Sequence, residues 1–76
     1  MLVHIFSKKS VQYSHMTFER DVALALSVGD YLAVGLYDTS IEEKHWVNKY
    51  SPIMQRYEFR NKINDDSPIQ LLLIVK

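Results

Sequence analysis

Between residues 44 and 62, Lys44, Lys49, Arg56, Arg60 and Lys62 stand against a single acid, Glu58, and interleave with Trp46, Tyr50, Tyr57 and Phe59. Cations neutralise phosphates and aromatic faces stack on unpaired bases at roughly 1–3 kcal/mol per base, so a nucleic-acid surface would use these residue types. Tryptophan, tyrosine and arginine also dominate binding energy at protein interfaces. Nine basic residues balance nine acidic ones, and this formal charge of zero provides no long-range attraction to a polyanion. A protein partner is therefore expected ahead of a nucleic acid. The candidate binding residues are Lys44, Trp46, Lys49, Tyr50, Arg56, Tyr57 and Arg60. The same pattern also arises in an amphipathic element that buries its aromatics and solvates its charges.

Other constellations are thinner. His4, His15 and His45 lie in three separate segments without the paired spacing of a zinc site, and His4, inside an apolar run, reads as a hydrogen-bonded core histidine. Asp30 followed by Glu42-Glu43-Lys44 has the outline of a metal-dependent nuclease, in which an aspartate and a Glu-x-Lys hold a cation and position water. That chemistry wants the Glu-x-Lys on a strand, whereas here it reads as the opening of a helix. Asp65-Asp66 offers too few oxygens for calcium. Gly29 and Gly35 cannot build a phosphate loop, no serine sits in a Gly-x-Ser-x-Gly elbow, and there is no cysteine for a thiolate nucleophile, zinc site or disulfide. We expect no enzyme, no catalytic residue, no metal and no cofactor. The remote alternative is the nuclease-like hydrolase on Asp30, Glu42 and Lys44.

These residues must be held by a chain of 76 positions, enough for one compact domain over 1–76. With 47% hydrophobic and 24% charged residues, the composition is globular. Met1–Phe6 is apolar and is followed by Lys8 and Lys9, the reverse of a secretory signal. The longest apolar stretch, Val22–Tyr37, is broken by Ser27, Gly29 and Asp30, so no membrane partner is expected. Absence of cysteine fits a cytoplasmic setting. Near-zero charge leaves self-association unopposed, which allows a homodimer. Compact lone domains of this length are common among phage and viral accessory proteins, a background expectation that no residue carries.

Leu2–Phe6 reads as a buried strand, and a second strand is expected through about Phe18. Val22–Val28 and Tyr31–Tyr37 flank Gly29-Asp30 and suggest a tight hairpin. The rival makes 17–28 a helix ended by Gly29, and alanine and leucine favour it. Ser27–Val34 resembles the turn-and-strand wording of small SH3-like β-barrels, which supports a strand at 31–37. Ser40-Ile41-Glu42-Glu43 fits a capping box, predicting a helix over about 41–50 that puts Trp46, Val47 and Tyr50 on one face. Ile53, Met54 and Tyr57 extend that stripe if a second helix begins at Pro52, while Tyr57 and Phe59 alternate with charges as a strand would. Asn64–Pro68 signals a turn, and Ile69–Val75 is apolar throughout, as expected of a central strand covered on both faces. The expected fold is α+β, a small, mostly antiparallel sheet of four to six strands with one main helix packed on it. The expected function is a non-catalytic protein-binding module, an inhibitor or adaptor that occludes a partner's surface, with nucleic-acid binding through 44–62 as the alternative.

Overall fold

A computed structural model describes residues 1–35, 37–48, 50–56 and 70–76, the side chains of 37 and 55 excepted. The elements are β1 (Leu2–Ser7), β2 (Gln12–Thr17), α1 (Arg20–Ala25), β3 (Tyr31–Val34), β4 (Tyr37–Val47), α2 (Pro52–Arg56) and β5 (Gln70–Val75). The described residues are mostly strand and their two helices span only 6 and 5 residues, so the α+β expectation with one main helix is overturned. The described residues form a curled mixed sheet of five strands, ordered β2-β1-β5-β4-β3, with two short helices.

β5 lies at the centre, parallel to β1 and antiparallel to β4, and each of its six residues is buried. A strand without a solvent face must be apolar on both sides, and Gln70-Leu71-Leu72-Leu73-Ile74-Val75 departs from that only at Gln70. Alternate residues enter opposite layers. Leu71, Leu73 and Val75 join Val3, Ile5, Ala23, Leu32, Val34 and Ile41 on the α1 side. Leu72 and Ile74 join Phe6, Val47 and Met54 on the α2 side.

The expected helix over 41–50 is instead the long half of β4 and the turn after it. Residues 37–40 of β4 pair with β3, and residues 41–47 pair with β5. Between Ile41 and Glu43 the register slips by one residue, because Ile41 pairs with Val75 and Glu43 with Ile74. Such a bulge reverses the alternation of faces. Ile41 therefore shares the α1 side with Lys44 and Trp46, while Glu43, His45 and Val47 face the α2 side. This broken period mimics helical spacing in the sequence. The supposed capping serine, Ser40, pairs with Tyr31 as a strand residue.

At Val22–Val28 the structure takes the helical rival. Only Ala23 is buried in α1, with Leu26 partly buried against the same cluster, and an i, i+3 pair is a helical spacing. Gly29-Asp30 consequently joins a helix to β3 and does not turn between two strands. Gly29 has φ +96, and the turn closes through Asp30 N to Ser27 O at 3.0 Å and Ser27 N to Asp30 Oδ2 at 2.9 Å. A positive φ at that position favours glycine. The hairpin forms one step later, across Gly35 at φ +63, where Val34 pairs with Tyr37. Val11 also lies in the left-handed region, at φ 51, where the β1–β2 connection ends.

Candidate interaction surface

Lys44 projects from β4 over the last turn of α1. Its Nζ donates to the carbonyls of Leu26 at 2.7 Å, Leu24 at 3.1 Å and Ala23 at 3.4 Å. A helix end presents carbonyls without intrahelical partners and a partial negative charge, and a lysine ammonium with three donors answers both. α1 has no basic residue in its own last turn, so the cation at that end comes from β4. The lysine predicted to bind is therefore a tertiary helix cap.

Trp46, two residues on, lies on the same side, 6.0 Å from Lys44 Nζ to ring centroid, and remains 46% exposed. Tyr50 is 75% exposed on a turn built by its neighbours. There Tyr50 N donates to Asn48 Oδ1 at 2.8 Å and Asn48 N to Ser51 Oγ at 3.0 Å. Trp46 thus stands on a paired strand, and the Tyr50 amide is tied to the Asn48 side chain. Leu24 and Val22 on α1 are also about half exposed.

Arg56 is elsewhere. It closes α2 on the opposite side of the sheet, and its Nη2 lies 3.9 Å from Glu43 Oε1. Glu43 also receives Lys8 Nζ at 2.9 Å and His45 Nε2 at 3.0 Å. The Lys8 hydrogen bond, then that from His45, holds the Glu43 carboxyl below the ordinary glutamate range, partly opposed by burial. The structure therefore brings Lys44 and Trp46 together, separates them from Arg56 by the sheet, and puts Tyr50 on the connecting turn. Lys49, Tyr57 and Arg60 lie outside the described residues, as do Asp65 and Asp66.

The chain matches no protein-family model, no curated protein and no solved structure. Its chemistry has to be read from its own geometry. The nuclease-like trio is not assembled as a metal site: Asp30 Oδ2 accepts from Ser27 N, Glu42 Oε2 lies 3.5 Å from Lys8 Nζ, and Lys44 caps α1. Among the described residues no three His, Asp or Glu side chains converge on a metal position. No helix among them is long and apolar enough to cross a membrane.

Sequence spacing concealed one arrangement. His15 pairs with His4 across β2–β1, His4 with Leu72 across β1–β5, and Leu72 with His45 across β5–β4. The three histidines therefore share one cross-strand row on the α2 side. His4 is fully buried there, with Nδ1 2.7 Å from the Tyr13 hydroxyl and Nε2 bonded to Gln70 Oε1. Because that amide oxygen can only accept, His4 Nε2 donates to it, and Nδ1 shares the second bond with the Tyr13 hydroxyl. Burial raises the Tyr13 phenol above its ordinary range. A histidine and a glutamine within otherwise apolar strands were the available sequence signal, since buried polar groups need partners.

Proposed function

We propose that this chain is a non-catalytic protein-binding module whose contact surface is centred on Trp46, with Tyr50 at its margin. The observation that carries this reading is an exposed tryptophan held on a paired strand of the sheet. Such a side chain presents a large apolar area at small entropic cost, and interface energy concentrates in residues of this kind. The engagement of the cations, on both sides of the sheet, supports a protein over a nucleic acid. Lys44 is engaged by α1 carbonyls, and Lys8 and Arg56 lie against Glu43. The surface by itself specifies neither inhibition nor adaptation, and its chemistry suits an apolar or aromatic pocket on another protein.

The test is affinity capture from the source cells with and without nuclease, comparing the parent chain with Trp46→Ala and Tyr50→Ala. Nuclease-resistant capture of one protein, lost in Trp46→Ala and weakened in Tyr50→Ala, is the expected result. Capture abolished by nuclease would transfer the surface to nucleic acid. Capture untouched by Trp46→Ala would overturn the reading.

A further inference from the structure

The two edges of the sheet differ. β3 is four residues long and is bounded by Gly29 and Gly35, both at positive φ. β2 is six residues, and among the described residues its only strand partner is β1. Phe18 N donates to Met1 O at 2.9 Å beside the Leu2–Thr17 pair. Antiparallel ladders alternate bonded and non-bonded pairs, so the backbone groups of Met16 turn inward to β1 and those of His15 and Thr17 turn outward. His15 and Thr17 are exposed. Natural edges are commonly protected by lysine, proline or an inward charge, and Gln12-Tyr13-Ser14-His15-Met16-Thr17 contains no proline and no Lys, Arg, Asp or Glu.

We propose that β2 pairs antiparallel with β2 of a second copy of this chain, about a two-fold axis at Met16, joining two five-stranded sheets into one. This surface is separate from the one assigned to a partner protein. A two-fold axis perpendicular to a sheet keeps each face with its like, so outward-turned residues must meet outward-turned residues. Centring on Met16 sets His15 opposite Thr17 of the second copy, and the reverse, each pair exchanging both backbone bonds. Met16, already packed against the apolar layer of the α1 side, then meets Met16 of the second copy and continues that layer across the axis. Centring on His15 would instead set two imidazoles directly opposite each other. The zero formal charge, and a strand with no Lys, Arg, Asp or Glu, remove the repulsion that would hold like copies apart.

The experiment is sedimentation velocity over a wide concentration series, with two variants. In His15→Pro the missing N–H is one that faces away from β1, a position where an edge strand tolerates proline. Unfolding midpoint and circular dichroism should stay close to the parent, while loss of the symmetric bonds weakens the dimer roughly tenfold or more. Met16→Cys places one cysteine in a chain that has none. The close, non-bonded pair, with Cα atoms about 4.5 Å apart, is within disulfide reach, so mild oxidation should yield a covalent dimer. A parent chain that is monomeric at every concentration overturns the proposal. So does a dimer that survives His15→Pro in a folded protein, or one in which Met16→Cys does not cross-link.

Discussion

On the α1 side of the sheet, Val3, Ile5, Leu71, Leu73 and Val75 form a continuous apolar layer. On the α2 side, Phe6, Leu72 and Ile74 share theirs with His4, Gln70 and the Tyr13 hydroxyl. The same strands supply both layers through alternate residues, so the contrast is written in single-residue steps. An apolar layer is held by volume and area alone. A mixed layer is held by complementarity, and each of its polar groups matters through the partner it would leave behind.

The largest effect should come from the apolar side. Leu73→Ala empties a fully buried position of β5 and is expected to cost about 2–5 kcal/mol, measured by urea unfolding. His4→Leu, on the other side, keeps an apolar volume but removes a partner from both Gln70 and Tyr13, for about 1–3 kcal/mol. A double variant separates the two causes: His4→Leu with Gln70→Leu should recover the Gln70 share of that loss, since it removes both ends of that one bond. Recovery absent from the double variant would mean that packing, not hydrogen bonding, ties His4 down.

Lys44→Met tests whether α1 belongs to its layer by contact or by capping. Only Ala23 of that helix is buried, so losing three carbonyl bonds should cost about 1 kcal/mol and speed amide exchange in α1 selectively. Glu43 supplies a pH signature on the opposite side. Its folded carboxyl is held below the unfolded value by Lys8 and then His45, so the unfolded chain binds more protons in that window. The stabilisation is present above the ordinary glutamate range and fades as pH falls through the folded value. Glu43→Gln should flatten the acid limb of a stability–pH curve. The smallest change touches neither layer: Val11→Gly relieves a β-branched residue at φ 51 and should stabilise by up to about 1 kcal/mol, seen as a higher melting temperature.

These contrasts show which features were legible. β1 and the buried central β5 could be read directly, because an unbroken apolar run has few other places to go. β4 could not. Its bulge puts Ile41 on one side and Val47 on the other, which breaks the two-residue period by which a strand is recognised and leaves the Ser-x-x-Glu pattern to suggest a helix. Val22–Val28 failed in the opposite direction, with large residues alternating with small ones although only positions 23 and 26 turn inward. The candidate surface was legible as residue types but not as an assembly. Trp46 is displayed, while Lys44 answers a helix end about twenty residues away in sequence, a pairing visible only once α1 is known to lie over β4.

The position of β5 also carries a kinetic consequence. β1 with β2, and β3 with β4, are hairpins of local pairing that can form early. Each then waits for one strand from far along the chain, since Val3 meets Leu71 and Trp46 meets the same leucine from the other side. Loop closure over such separations slows folding into the range of milliseconds to seconds. Until β5 inserts, no strand pairing among the described residues joins the two hairpins, so the sheet should form in a single late step, and backbone probes in β2 and β3, at opposite edges, should become protected at the same rate.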